Sequence, residues 1–178
     1  MKEIKILDKT FREYLSAEQI QKKIIELAET INRDYAGQEV MFVGILNGAF
    51  MFACDLFKRI NLKARITFIK LASYQGTSSS GAIRELIGWN EDLSQKMVII
   101  IEDIVDTGST LEYTVENLVI RNVKSVRIAA LLLKPAAYKK SIPIDYLGFE
   151  IPNDFVIGYG LDYDGFGRNL PSVYKLVV

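Results

Sequence analysis

The residues best suited to chemistry form one run near the middle of the chain, after the apolar residues 98–101. Two adjacent carboxylates come first, Glu102 and Asp103, and carboxylates bind Mg²⁺ or the hydroxyls of a sugar. A polar turn follows, made of Asp106, Thr107, Gly108, Ser109 and Thr110. Where such a turn opens a helix, its backbone N–H groups and hydroxyls form a phosphate cradle. In the alternative interpretation, Asp103 and Asp106 only solvate a loop and cap the helix.

The surrounding pattern predicts an α/β fold that places this run at one edge of a sheet. Apolar segments at 40–46, 64–74, 97–102 and 125–133 predict strands, and 155–159 and 174–178 predict shorter ones. Amphipathic stretches predict three helices, one opened by a capping box at Ser16 and ended near Gly37, and two at 49–59 and 110–120. Alternating strands and helices indicate a twisted parallel sheet flanked by helices, with ligands outside the carboxyl ends of the strands. The segments after Leu46, Tyr74 and Ile101 should therefore converge.

Composition removes several classes of function. Lys plus Arg equals Asp plus Glu at 22 each, so no net basic field recruits nucleic acid. The chain contains no histidine, which excludes histidine bases and the usual zinc sites and leaves oxygen ligands for any metal. The lone Cys54 predicts a reducing compartment. With no apolar run of membrane length and no signal-like start, residues 1–178 are expected to form one cytoplasmic domain.

The run at 98–110 closely resembles the phosphoribosyl pyrophosphate signature of the type I phosphoribosyltransferases. Four more segments, in family order from about Val40 onward, are similar to motifs of the hypoxanthine-guanine branch: 44–50, 70–74, 131–134 and 155–171. The resemblance implies the type I phosphoribosyltransferase fold, with a small hood formed by the chain ends. It also implies transfer of the phosphoribosyl group of phosphoribosyl pyrophosphate to hypoxanthine or guanine, with Mg²⁺ as cofactor.

The resemblance assigns the reaction centre to the signature and to Lys134. Asp106 would accept the proton of purine N7 as general base, and residues 106–110 would grip the 5′-phosphate. Glu102 and Asp103 would bind the ribose hydroxyls, directly or through Mg²⁺. Lys134 would donate to the 6-oxo group of the purine, although a surface lysine at the end of a strand is the alternative.

The resemblance assigns the remaining contacts to the C-terminal motif. Phe155 would stack on the purine and Val156 would offer backbone groups to its edge. Asp162 would help to hold a second Mg²⁺, and Arg168 would bind pyrophosphate. The alternatives are a core position for Phe155 and a surface ion pair for Asp162 and Arg168.

Two loops complete the implied site. Leu46, Asn47 and Gly48 would form the pyrophosphate loop, with a cis peptide bond between the first two. Asn47 departs from many relatives, which carry lysine there. Ser73 and Tyr74 would belong to a lid that keeps water out, unless the hydroxyl-rich loop at 75–82 takes no part.

Two competing functions stay open. A regulator of the same fold would sense phosphoribosyl pyrophosphate without turnover, but the neutral composition and the joint presence of Asp106 and Lys134 favour an enzyme. A xanthine transferase would use the same Lys134 and Phe155, so hypoxanthine, guanine and xanthine are not ranked. The family commonly forms homodimers or homotetramers, and the sequence does not choose between them.

Overall fold

The computed structural model describes residues 3–73 and 83–177. The strands within these ranges are β1 (Glu3–Ile6), β2 (Lys9–Leu15), β3 (Glu39–Leu46), β4 (Lys63–Ser73), β5 (Ile83–Ile87), β6 (Met97–Val105), β7 (Ser125–Leu133), β8 (Tyr146–Glu150), β9 (Val156–Ile157) and β10 (Val173–Leu176). The helices are α1 (Ala17–Asp34), α2 (Phe50–Phe57) and α3 (Ser109–Ile120). None of the helices in the described ranges is long and apolar enough to cross a membrane.

A six-stranded sheet in the order β5-β4-β3-β6-β7-β8 forms the centre of the molecule. Its neighbours pair in parallel except at one edge, where β5 runs antiparallel to β4. The central strands are apolar on both faces because both faces are covered. One face packs against α1 and α2, through residues such as Ile24 and Phe52, and the opposite face packs against α3 through Leu111 and Leu118. This architecture confirms the predicted α/β sheet flanked by helices.

A second, antiparallel sheet forms the hood. Its order is β1-β2-β10-β9, so both ends of the chain contribute to it, as the resemblance implied. Leu15 pairs with Val173, and Tyr174 pairs with Ile157. Phe11, Ile157 and Tyr174, from three of its strands, form a small buried apolar cluster.

The element boundaries differ from the sequence predictions at several points. The capping box at Ser16 and Gln19 is present, but α1 ends at Asp34, before Gly37. The strand predicted at 155–159 is confined to β9, since Gly158, Tyr159 and Gly160 all have positive φ angles that a strand does not accommodate. The strand predicted at 174–178 is β10, which begins at Val173 and ends at Leu176. Strands β1, β2, β5 and β8 were not predicted.

Candidate active site

Glu102 and Asp103 both lie within β6, which continues to Val105, three residues past the predicted strand end at Glu102. Each residue is only 8% exposed, and among the described residues nothing hydrogen-bonds to Glu102 Oε2. Burial, together with the charge of Asp103, raises the pKa of Glu102 well above its ordinary value. Burial also raises the pKa of Asp103, although hydrogen bonds from Glu102 and from backbone N–H groups oppose that rise. Two negative charges are therefore disfavoured here unless a cation accompanies them.

The turn after β6 encloses the first cavity, called the cradle, of about 80 Å³. It is lined by Glu102 and by residues 104–111. Gly108 has φ of 86° and is the N-cap of α3, so no capping side chain occupies the helix start. The hydroxyls of Thr107 and Ser109 form a hydrogen bond of 3.2 Å on the exposed side of the turn. The predicted phosphate-binding residues thus surround a helix N-terminus that can receive an anion.

A second cavity, called the side cavity, adjoins the cradle and has a volume of about 230 Å³. Ile104 and Asp106 line both cavities, so Asp106 stands between them. The other lining residues are Asp103, Lys134, Phe155, Val156, Leu161, Asp162 and Arg168. Six of the predicted site residues therefore face the side cavity together with Asp106.

Lys134 contacts Asp106 directly, with Nζ donating to Oδ2 at 2.9 Å. Its side chain is only 11% exposed, and its backbone N–H donates to Val105 O. A surface lysine reaching into solvent is therefore the wrong interpretation. The ammonium group belongs to the lining of the side cavity, beside Asp106, and can exchange that carboxylate for a ligand acceptor.

Phe155 lies on the hood wall of the side cavity and is 45% exposed, so the alternative of a core residue is also wrong. Tyr163 packs against its ring edge-on, with centroids 6.0 Å apart. Val156 is buried in β9, where it pairs with Lys175 of β10. This pairing fixes the backbone beside the cavity.

Asp162 and Arg168 form an ion pair of 2.7 Å, each side chain being 28% exposed. Arg168 also donates to Gly160 O at 2.7 Å, and the second oxygen of Asp162 accepts from Gly165 N. The two side chains are thus ion-paired, as the alternative held, but the pair lines the side cavity and is not on the open surface. Because the pair faces the side cavity, Arg168 remains placed to meet an anion there.

The pyrophosphate loop reaches the site through its backbone. The Leu46–Asn47 bond is cis, as the resemblance implied, and Asn47 is exposed. A Cβ atom on Gly48 would overlap the carboxylate of Asp103, and one on Gly160 would overlap the carbonyl oxygen of Gly48. Glycine is thus required where this loop, β6 and the hood meet. Leu46, Asn47 and Gly48 are not among the described residues that line either cavity, but Gly48 packs closely against the carboxylate of Asp103.

The predicted lid residues and the predicted metal ligands are only partly gathered at the site. Ser73 ends β4, where it pairs with Ile83, and Tyr74 lies outside the described residues. Within the described ranges, no three acidic side chains form one group that could hold a metal ion, and the predicted division of Glu102, Asp103 and Asp162 between two ions does not require such a group. Glu102 faces the cradle, whereas Asp103 and Asp162 face the side cavity.

Two sets of contacts around the site carried no clear sequence signal. Tyr159 is buried, and its hydroxyl donates to Asp55 of α2 at 2.6 Å. Tyr138 and Lys140 pack over Gly108 from the segment after β7. An aromatic residue between glycines and a lysine pair in a loop are common patterns, so only the tertiary structure identifies these contacts.

Larger cavities than the cradle and the side cavity lie away from these loops. A cavity of about 300 Å³ lies at the opposite edge, where Glu39, Arg65, Lys96 and Lys124 surround it. Glu39 is already ion-paired with Lys63 at 2.7 Å. Since ligands bind beyond the carboxyl ends of parallel strands, the cradle and the side cavity are the stronger candidates.

Comparison with known proteins agrees with this geometry. The family profile described as "Phosphoribosyl transferase domain" matches residues 11–164. The hypoxanthine-guanine phosphoribosyltransferase of Staphylococcus epidermidis is 44% identical over 163 residues, covering 91% of each chain. The enzyme of that name from Mycobacterium bovis is 44% identical over 169 residues, covering 91% of this chain and 84% of the relative. A hypoxanthine phosphoribosyltransferase crystal structure from Staphylococcus aureus superimposes with a TM-score of 0.88 at 41% identity, covering 93% of this chain and 91% of that one.

The chain belongs to the phosphoribosyltransferase family. Its sheet and helices are those of the type I phosphoribosyltransferase fold. Within the family, its similarity is to the hypoxanthine-guanine branch, as the sequence motifs predicted.

Proposed function

We propose that this protein is a purine salvage enzyme that converts hypoxanthine or guanine, with phosphoribosyl pyrophosphate, into IMP or GMP and pyrophosphate. The observation that carries the proposal is the contact of Lys134 with Asp106 between the cradle and the side cavity. A donor and a carboxylate side by side match the 6-oxo group and N7–H of these purines, which adjoin on the ring. Adenine carries an amino donor in place of the 6-oxo acceptor, so Lys134 would disfavour it.

In this proposal the cradle binds the 5′-phosphate and thereby places ribose C1 beside the side cavity. The purine nitrogen attacks C1 as the bond from C1 to the pyrophosphate oxygen breaks, through an oxocarbenium-like transition state. Asp106 takes up the proton from N7, which leaves a neutral purine in the nucleotide. Phe155 stacks on the purine, Val156 presents backbone groups to its edge, and Arg168 meets the departing pyrophosphate.

The carboxylates of β6 fit a bound Mg²⁺. Glu102 and Asp103 are buried together, one oxygen of Glu102 lacks a partner among the described residues, and burial opposes their ionisation. A divalent cation would relieve each of these costs, and in the reaction it would neutralise charge on the pyrophosphate. Glu102 and Asp103 would hold it with the ribose hydroxyls, and Asp162 would hold a second ion after parting from Arg168.

The proposal extends to the organisation of the whole chain. Residues 1–178 would act as one catalytic unit in the cytoplasm, assembled as a homodimer or homotetramer. Ser73 and Tyr74 would belong to a lid over the site, because β4 ends at Ser73, shortly after Lys70 pairs with Leu46 at the start of the pyrophosphate loop, and a reactive ribosyl centre needs protection from water.

The test is pyrophosphate release from phosphoribosyl pyrophosphate with hypoxanthine, guanine, xanthine and adenine, each with Mg²⁺ and with excess chelator. We expect turnover with hypoxanthine or guanine, little with adenine, and none in chelator. Turnover in chelator would exclude the metal roles of Glu102, Asp103 and Asp162. Firm binding of phosphoribosyl pyrophosphate without turnover on any purine would instead identify a regulator.

A further inference from the structure

The cradle has an unbalanced charge. Its lining includes the carboxylates of Glu102 and Asp106, and no lysine or arginine is among the described residues that line it. Glu112 adds a third carboxylate in the first turn of α3. A phosphate monoester carries close to two negative charges at neutral pH, and a helix N-terminus offers only about half a positive charge. A cation close to the cradle would therefore strengthen phosphate binding.

Lys140 is the cation placed to do this. A Cβ atom built on Gly108 would lie 2.9 Å from Lys140 Cγ, so the aliphatic stem lies against the N-cap of α3. The ammonium group lies 2.6 Å from Glu112 Oε2, and the two side chains are 31% and 42% exposed. This contact holds the charge near the cradle on a side chain that can still move.

The segment carrying Lys140 is held in place independently of that ion pair. Tyr138 packs its ring against Gly108, its hydroxyl donates to Ile142 O at 2.6 Å, and its backbone N–H donates to Lys134 O at 3.0 Å. The position of Lys140 is thus set by the same turn that follows Lys134.

We propose that Lys140 binds the 5′-phosphate of the substrate and of the nucleotide product, exchanging Glu112 for a phosphate oxygen. The inference rests on the proposed function, because it needs the cradle to be the 5′-phosphate site. A phosphate offers more negative charge than one half-exposed carboxylate, and lysine is a flexible point charge that can follow it. Glu112 then serves as the partner that holds the ammonium group when no phosphate is bound.

The first experiment compares IMP with inosine, which lacks the phosphate, by calorimetry on wild-type protein and on Lys140→Met. We expect IMP to bind about tenfold more weakly to the variant, as for the loss of one charge-assisted hydrogen bond, and inosine to bind equally to both. The KM for phosphoribosyl pyrophosphate should rise by about the same factor, while the KM for hypoxanthine stays constant. Lys139→Met is the matched control, because Lys139 is exposed and donates only to Ala136 O at 2.8 Å among the described residues.

Further variants separate direct binding from simple neutralisation of Glu112. If Lys140 only offsets Glu112, the double variant Glu112→Gln/Lys140→Met should regain wild-type affinity for IMP, which would overturn the proposal. Direct binding predicts that the double variant stays weak and that Lys140→Arg keeps most of the affinity. Equal weakening of IMP and inosine would show an effect on the fold and would also overturn it. If the wild-type protein has neither turnover nor IMP binding, it is the proposed function that fails, whatever the variants do.

Discussion

The two halves of the candidate site are built by different means. Glu102, Asp103, Asp106 and the rest of the cradle lie on one strand-turn-helix, and Lys134 follows the neighbouring strand of the same sheet. The hood half, from Phe155 to Arg168, has little regular structure. Its shape depends on positive φ angles, on contacts between glycines and on single hydrogen bonds such as that of Tyr159. Substitution of a catalytic side chain in the sheet half should thus lower activity without lowering stability. Substitution in the hood half should lower stability and substrate binding together.

The largest expected effect is on chemistry alone, in the sheet half. Asp106→Asn keeps a hydrogen-bond acceptor for Lys134 but cannot take up the purine proton, so kcat should fall by about 10²–10⁴-fold. IMP binding and the urea midpoint should stay close to wild type, because the backbone of the cradle is unchanged. Asp164→Asn is the matched control on an exposed turn and should keep normal kcat. A near-normal kcat for Asp106→Asn would remove this carboxylate from proton transfer.

The next largest effect is a loss of stability in the hood half, where the backbone of Gly160 lies against that of Gly48. Gly160→Ala combines φ of 101° with overlap on the carbonyl of Gly48, so the free energy of unfolding should fall by about 3 kcal/mol. Gly165→Ala has φ of 83° but nothing within 4 Å of the new methyl group, so it should cost only about 1–2 kcal/mol. Urea unfolding measures both, and pyrophosphate release should fall further for Gly160→Ala. Equal losses would mean that backbone strain, and not the contact with Gly48, governs this part of the hood.

Lys134→Met tests whether the sheet half binds the purine and the sugar-phosphate through separate residues. Loss of a charged donor to the purine should lower kcat/KM for hypoxanthine and guanine by about 10–10²-fold. The affinity for phosphoribosyl pyrophosphate should stay within about twofold, by the additivity expected of separate subsites. Lys124→Met, at the other end of β7, is the control. Weak sugar-phosphate binding with normal purine use would place Lys134 in the phosphate site instead.

The smallest effect concerns the tether between the hood and α2. Tyr159→Phe removes the hydrogen bond to Asp55 and should lower the free energy of unfolding by about 1–2 kcal/mol at pH 7. It should also raise the KM for purine, whereas Tyr146→Phe on β8, which loses a hydrogen bond to Asp34 of α1, should leave that KM unchanged. An equal rise in both variants would argue against a special role for the tether.

The same tether should depend on pH. Burial raises the pKa of Asp55, but hydrogen bonds from Lys58, Tyr159 and Gln21 outweigh it and hold the pKa below its ordinary 3.8. A depressed folded-state pKa adds stability above the unfolded value, and this is lost as pH falls through the folded value. The difference in unfolding free energy between wild type and Tyr159→Phe should therefore shrink below about pH 4.

The sheet half could be predicted from sequence because its determinants are local. Four apolar residues before Glu102 and Asp103 indicate a buried strand, and Gly108 with its hydroxyl neighbours indicates the turn and helix start. The extension of β6 from Glu102 through Asp103 to Val105 was missed, since adjacent acidic residues rarely lie inside buried strands. In the hood, the family resemblance identified Phe155 and Arg168, but nothing local specifies the pairing of β2 with β10. Contacts such as Tyr159 with Asp55 depend on residues 104 positions apart in the chain.

The pairing of the two chain ends has a consequence for the timing of biosynthesis. Ser172 Oγ accepts a hydrogen bond from Ala17 N across 155 residues, and β10 pairs with β2, so the hood sheet cannot close until residues 172–176 have been made. At roughly 5–20 residues per second, about 8 to 30 seconds separate the synthesis of these two partners. During that interval the sheet and its carboxylates can fold, but the wall that carries Phe155 does not yet exist. A ribosome-bound chain would acquire its phosphate cradle first and its purine wall last.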